Sequence, residues 1–437
     1  MAIRRIHVRN FKSFKDAEIQ LSPLTVLLGA NASGKTNLVH LFRFLRDISR
    51  WGLEDAVYRQ GGVDYLLNRH IGTKEPLEVD VEADTCWTNL INHDKGAHDF
   101  RAERVRYAFA VQFSRDGKML VLRDDLQLVI RWFVIEPQRK PEIHPQGQFY
   151  LTLRRDAEHR IEIDAPFGRD LPLTLAQFLR VVPVDGIVGM TDIPFNPSML
   201  HQRVKEDSLL IETDSGVIKG MFRPFLLPFA YAGVHDFQPN RIRQACKNAS
   251  GVILEEDGSN LSMVLRGVLS NPEKARKLRN LLSVFVRHIE DVRIVSMGDG
   301  SLGWEVDESF ESKEVLPAPY LSDGVAQIVA LLVVLYFSEK RFAQVLVIEE
   351  PDRHIYPYFI ERLVATLQEA SAERQVIITT HNPEVVRHVP LESLRLVSRD
   401  QHGFSSVSEP ASSEHVQNFL KDELGVDFLF AKDLLSA

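Results

Sequence analysis

The eight residues Gly29-Ala-Asn-Ala-Ser-Gly34-Lys35-Thr36 constrain the fold of this chain more than any other stretch. They match the spacing GxxxxGK[ST]. They stand between a short apolar run, Thr25–Leu28, and a segment, Asn37–Ile48, in which Leu38, Leu41, Phe42 and Leu45 recur at helical spacing. Strand, glycine loop and helix in that order make a phosphate-binding loop. Glycine lets the backbone curl until several N–H groups point inward at phosphate oxygens. Lys35 then reaches the β- and γ-phosphates, the Thr36 hydroxyl ligates Mg2+, and the N-terminus of the following helix favours the anion.

Two further apolar runs end in polar residues. Val345-Leu-Val-Ile348 leads into Glu349-Glu350-Pro351, and Gln375-Val-Ile-Ile-Thr379 leads into Thr380-His381. Strands buried in a parallel sheet carry such runs, and ligands bind beyond their carboxyl ends. Glu349 is thereby placed near Mg2+, directly or through water. Glu350 is placed to orient or deprotonate an attacking water. His381 is placed to sense a γ-phosphate by a hydrogen bond, although a lone histidine is more often structural. Leu321-Ser322-Asp323-Gly324 precedes the apolar helix Val325–Phe337. A serine N-cap beside a glycine exposes backbone N–H groups, which makes either an ordinary cap or a second anion site, and both readings hold together.

These motifs, in this order, resemble the ATP-binding-cassette ATPases of the SMC and RecF type, and more narrowly the RecF-like ATPases of the AAA-21 and OLD-nuclease group. Ile6-His-Val-Arg-Asn-Phe-Lys-Ser-Phe14 is similar to that family's first strand, and Leu321-Ser-Asp-Gly324 to its signature. Glu349-Glu-Pro-Asp-Arg-His-Ile-Tyr-Pro357 is similar to its Walker B and D-loop, Thr380-His381-Asn-Pro383 to its switch histidine, and Glu256–Leu261 to a stretch before its helical lobe. The resemblance implies an α/β fold of the P-loop ABC type, with a mixed or parallel sheet core, an antiparallel β lobe and a helical insertion. It implies ATP and Mg2+ as cofactors, with Lys35, Glu350 and His381 catalytic and Thr36 and Glu349 on the metal. The nucleotide contacts it implies are Gly29, Asn31, Ala32, Ser33, Gly34, Lys35, Thr36 and Asn37, together with Lys12 and Ser13 in the opening segment. Two heads would close head to tail, so that Ser322, Asp323 and Gly324 act in trans on the γ-phosphate of the other copy. The family's glutamine loop is not placed by the sequence: Gln60, Gln112 and Gln138 are equal candidates. Tyr356 stands where relatives often carry histidine.

Organisation along the chain follows from pattern. Strands are expected at Ile3–Val8 and Glu18–Leu21, and then at Leu77–Glu82, Arg104–Phe113, Met119–Arg123, Leu126–Phe133 and Phe149–Arg154, with a hairpin turn at Asp116–Gly117 and a loop over Glu136–Gln148. Prolines 166, 172, 183, 194 and 197 break up the next stretch. Two helices joined at Asn271–Pro272 occupy 259–290, and strands follow at Val292–Ser296 and Leu302–Val306. The last third alternates helix and strand: Gly324–Phe337, Val345–Ile348, Pro357–Ala370, Gln375–Thr379. The expected divisions are 1–76 and 291–400 as the two parts of an ATPase core, 77–165 as a β lobe, 166–290 as a mixed or helical insertion, and 401–437 as a tail with a helix.

Composition narrows the function. A net charge of -8 argues against a protein held on DNA by overall positive charge, although runs such as Arg101–Arg106, Arg154–Arg160 and Lys274–Arg279 leave nucleic acid open as a partner. Two cysteines, Cys86 and Cys246, stand far apart, so neither a disulfide framework nor a zinc site is expected, and a cytoplasmic location fits. The longest strongly apolar run, Ile328–Phe337, is too short to cross a membrane. There is no long heptad run of the kind that makes SMC arms. Phe419–Lys432 resembles the segment that precedes a Toprim nuclease in OLD-type proteins, and no such nuclease is expected in this chain. The expected function is an ATP-gated switch that self-associates, as a dimer or larger oligomer, and works with a separate effector in antiviral defence or DNA maintenance. The alternative is a RecF-like DNA-binding repair ATPase. A transporter motor and a P-loop kinase fit the motifs less well.

Overall fold

The computed structural model describes residues 2–93, 96–136, 142–156, 158–164, 204–212, 229–247, 253–309, 314–338 and 344–412. In chain order the opening elements are β1 (Ile3–Phe11), β2 (Phe14–Gln20), β3 (Leu24–Leu28), α1 (Lys35–Trp51), α2 (Leu53–Arg59) and α3 (Val63–Leu66). Five strands follow: β4 (Leu77–His93), β5 (Gly96–Phe113), β6 (Met119–Glu136), β7 (Glu142–Arg155) and β8 (Ile161–Asp164). Then come β9 (Gly233–His235), α4 (Pro239–Ile242), α5 (Leu261–Leu269), α6 (Pro272–Phe285), β10 (Ile289–Ser296), β11 (Leu302–Glu308) and β12 (Val315–Pro317). The chain continues through α7 (Asp323–Tyr336), β13 (Val345–Glu349), α8 (Ile360–Ser371), β14 (Gln375–Thr380), α9 (Pro383–His388), β15 (Leu394–Arg399) and β16 (Ser405–Ser408). These elements fall into two compact units. One takes the chain up to Leu21, from His40 to Ala230 and from Arg399 to Ser406; the other takes Ser22–Val39, Tyr231–Ser398 and the chain from Val407 on.

The first unit is built on an antiparallel sheet in the order β2-β1-β4-β5-β6-β7-β8. On β5 the alternating Tyr107, Phe109, Val111 and Phe113 are all buried, as strand periodicity predicts for one covered face. The turn Asp116–Gly117 forms, with Gly117 at φ 84 and Ser114 N–H bonded to Lys118 O at 2.9 Å.

Two expectations are corrected here. Met119–Arg123 and Leu126–Phe133 are one strand, β6, and residues 142–148 of the expected loop belong to β7; 137–141 lie outside the described residues. The polar triplet Arg123-Asp124-Asp125 read as a break. It stays in the strand because Asp124 is fully buried with its partners in place. Tyr107 donates its hydroxyl to Asp124 at 2.9 Å, Leu210 donates its backbone N–H at 2.5 Å, and the Arg155 guanidinium lies 3.9 Å away. The expectations for 166–203 and for the tail beyond Ser412 fall outside the described residues.

The second unit holds a parallel sheet in the order β15-β3-β14-β13-β9. Helices α5, α6, α7 and α8 contribute to its core with Leu265, Leu278, Leu332 and Leu363. Helix α7 is buried almost all round, which explains its continuous apolar run. Asn271 caps α6, accepting from Glu273 N–H at 3.0 Å and Lys274 N–H at 3.1 Å, so the Asn-Pro pair punctuates the two helices as expected. An antiparallel sheet, β10-β11-β12, lies in the same unit.

Burial pushes the Asp124 carboxyl up to about 7, despite the Leu210 N–H, Arg155 and Tyr107 that favour its charged form. The folded chain therefore binds more protons than the unfolded one between the ordinary carboxylate range and neutrality. The stabilisation is full at acid pH and is lost as pH rises through about 7. In Asp124→Asn, which cannot titrate, the melting temperature should fall less than that of the parent between about pH 5 and about pH 8. Parallel pH dependence of the two proteins, followed by circular dichroism, would refute the assignment.

Candidate nucleotide site

The loop Gly29–Thr36, the residues that follow β13 and β14, and the start of α7 belong to the second unit. The loop leaves β3 at Leu28 and enters α1 at Lys35. Two of its residues take left-handed backbone, Ala32 at φ 64 and Gly34 at φ 118, and this curls the chain. Gly29 is required by space: a Cβ there would lie 2.3 Å from Val397 O and 2.7 Å from Ser33 Oγ. Lys35 is buried and folds back over the loop, donating to Gly29 O at 2.7 Å and Ala30 O at 2.9 Å. Burial draws its pKa down, while the charges of Glu350, Asp352 and Glu349 pull the other way. Lys35 and the carboxylates after β13 therefore share one electrostatic environment. Asn31, Ala32 and Thr36 are exposed, and Ser33 is buried within the curl.

Strand β13 is buried up to Ile348 and ends at Glu349, which pairs with Thr379 of β14. Glu350 follows at φ 42, its N–H bonded to Thr379 O at 3.0 Å. This strained residue is held by its neighbours. His381 Nδ1 donates to Glu350 Oε1 at 2.8 Å, and Arg353 donates to Glu350 Oε2 through Nη2 at 2.6 Å. Burial raises the Glu350 pKa, but the hydrogen bonds from Arg353 and His381 outweigh it and hold the carboxyl below its ordinary range. Asp352 is buried and its pKa is raised by that burial, so the two carboxyls are driven apart. Arg353 was not anticipated from the sequence; the only signal was its position three residues after Glu350.

The signature residues have a different setting. Ser322 caps α7, accepting from Val325 N–H at 3.3 Å. Asp323 pairs with Arg243 at 2.7 Å and lies 3.8 Å from His354, while Arg243 Nη1 donates to Leu321 O at 2.6 Å. A Cβ on Gly324 would come within 2.6 Å of His354 O, so glycine allows the loop after β13 to pack against the start of α7. Arg243, just past α4, is a second residue that sequence reasoning missed. Its partner lies eighty residues away, and no local pattern marks it.

Lys12 and Ser13 lie in the first unit, in the turn between β1 and β2. Lys12 Nζ donates to Tyr65 O at 3.0 Å, and burial together with Arg43 lowers its pKa to about 8. Ser13 Oγ accepts from Ser405 Oγ at 2.8 Å. Of the glutamine candidates, Gln112 Nε2 donates to Thr73 O at 2.7 Å, Gln60 Nε2 approaches His40 O at 3.4 Å, and Gln138 is outside the described residues. The Thr36 hydroxyl and the Glu349 carboxylate are hard oxygen donors, which suits Mg2+.

Residues 1–116 match the family model AAA-15, "AAA ATPase domain", and residues 241–387 match AAA-21, an AAA domain family whose description also names a type IV TA system. In sequence the likeness is to ATPase domains and to RecF. The DNA replication and repair protein RecF of Clavibacter sepedonicus is 28% identical over 130 residues, which is 28% of this chain and 31% of that protein. RecF of Clavibacter michiganensis subsp. michiganensis is 27% identical over the same length and shares. The chain thus spans under a third of the length of these curated relatives. Among solved structures, an SMC head bound to the C-winged helix domain of ScpA covers 93% of this chain and 98% of its own at 15% identity, with a TM-score of 0.48. An Smc head with an extended coiled coil, derived from Pyrococcus furiosus and bound to the C-terminal domain of ScpA, covers 97% and 99% at 13% identity, with a TM-score of 0.47. No helix among the described residues is long and apolar enough to cross a membrane.

Removing the guanidinium from Glu350 should let its carboxyl titrate at higher pH. In Arg353→Gln, the carboxyl resonance of Glu350 followed by carbon NMR should show an upward pKa shift. An unmoved titration would mean that His381 alone holds the charge.

Proposed function

We propose that this chain binds Mg-ATP at the loop Gly29–Thr36 and hydrolyses it to ADP and phosphate. One observation carries the proposal. The loop, His381 and the pair Glu349 and Glu350 follow three adjacent parallel strands, β3, β14 and β13. Neighbouring strands lie ~4.8 Å apart, so groups at their carboxyl ends converge on one ligand. In this reading Lys35 exchanges its two loop carbonyls for β- and γ-phosphate oxygens, and Gly29, Asn31, Ala32, Ser33, Gly34 and Asn37 line the phosphates. Thr36 and Glu349 would hold Mg2+, which neutralises charge on the phosphates. Glu350, kept ionised by its neighbours, accepts the proton of the attacking water. His381 fixes one Glu350 oxygen and senses the γ-phosphate through its other ring nitrogen.

Ser322, Asp323 and Gly324 are read as the second half of another head's site. Two copies, or a larger oligomer, would close head to tail around ATP and release on hydrolysis. A separate effector protein would read that state, in antiviral defence or DNA maintenance. The RecF matches favour a second reading, a DNA-binding repair ATPase, which requires DNA-stimulated turnover that weakens steeply with salt.

Lys35→Ala should abolish ATP binding; micromolar affinity in that variant would contradict the phosphate placement. Glu350→Gln should bind ATP yet turn over roughly 10²–10⁴-fold more slowly. Light scattering of Glu350→Gln with Mg-ATP should show a doubled mass. A mass that stays monomeric would rule out closure between copies of this chain alone.

A further inference from the structure

The first unit carries a cavity of about 830 Å3 between the segment 61–73 and the turn Ser114–Gly117 that joins β5 to β6. Ligand sites fall in the range of roughly 300–1,000 Å3. Its wall is tied to the end of β1. Asn10 is buried there and donates through Nδ2 to Gly72 O at 3.0 Å and Glu75 O at 2.7 Å, while its Oδ1 accepts the Asn68 N–H at 3.2 Å. Asn68 lines the cavity and is only 2% exposed. Its Oδ1 accepts the His70 N–H at 3.0 Å, which fixes the face of the carboxamide. Nδ2 is its remaining donor; it makes no hydrogen bond among the described residues and stays accessible to a ligand or water.

The mouth adds charge. Arg69 and Arg115 are exposed at its rim, and neither is paired with a carboxylate among the described residues. Asp116 is already engaged by Ser114 and by Lys118 at 3.2 Å, which leaves Asp64 as the acceptor without a partner among the described residues. Tyr65 offers a ring that is 62% exposed. Two guanidinium forks and an amide donor suit a phosphate, an exposed ring suits a base, and a carboxylate suits a ribose hydroxyl or a base amino group. We propose that this cavity of the first unit binds one nucleotide unit on residues other than those of the Gly29–Thr36 loop, either as a free nucleoside monophosphate or as the 5′-phosphorylated end of a strand.

The test uses the full chain carrying Lys35→Ala, so that the phosphate loop is silent. Isothermal titration with AMP, CMP, GMP and UMP, and with a short oligonucleotide bearing a 5′-phosphate or a 5′-hydroxyl, should find one saturable site. Adding Arg69→Ala with Arg115→Ala should weaken it about tenfold or more, since both charged forks are lost. Asn68→Asp keeps the acceptor for His70, replaces the donor with a charge, and should weaken it too; the exposed arginines provide the same test if that variant fails to fold. Tighter binding of the 5′-phosphorylated strand than of any monophosphate identifies a strand end as the source, and the reverse order identifies a free nucleotide. Absence of saturable binding, affinity unchanged by the arginine substitutions, or inorganic phosphate binding as tightly as every nucleotide would overturn the proposal.

Discussion

Parallel pairing sets Leu27 beside Thr379 and Thr379 beside Glu349, so three strands of the second unit end in one row. The pairing is secured by burial: Val26, Leu28, Leu346, Ile348, Val376 and Ile378 are at most 1% exposed. Each such side chain contributes roughly 1.5–3 kcal/mol relative to exposure. Leu27, Val345, Val347 and Ile377 on the opposite faces are buried as well, so the sheet is covered on both sides. The observed register sets the height at which the loop, the carboxylates and the histidine leave the sheet. Every chemical role assigned to this unit depends on that alignment.

Electrostatics refines what the alignment delivers. Lys35 loses solvent but gains three nearby carboxylates, and Glu350 gains two donors that keep it charged. Both oxygens of Glu350 are engaged, one by His381 and one by Arg353. Close packing sets two further limits. Gly29 lies against Val397 O and Gly324 against His354 O, so a single methyl at either position would push a backbone away.

The regular elements were largely legible. Periodicity identified β1, β3, α1, β13 and β14, because a buried parallel strand and an amphipathic helix leave different spacings. Legibility failed where a polar group was satisfied from far away. Asp124 looks like a break in sequence, and only the Leu210 N–H and the Tyr107 hydroxyl make it a strand residue. Short β9 was equally hidden, since three residues carry no period and its place comes from pairing with β13.

What the sequence determined by itself was the chemistry: a GxxxxGKT loop, an apolar strand ending in two glutamates and another ending at a histidine can be read without coordinates, because each is a local pattern with a local physical cause. The tertiary structure alone decided which partners those groups have. His381 bonding Glu350, Arg243 holding Asp323 across eighty residues, and Asn10 orienting Asn68 over a cavity are contacts between distant segments. Such contacts depend on how buried polar groups find partners once the strands have packed, and no spacing along the chain encodes them.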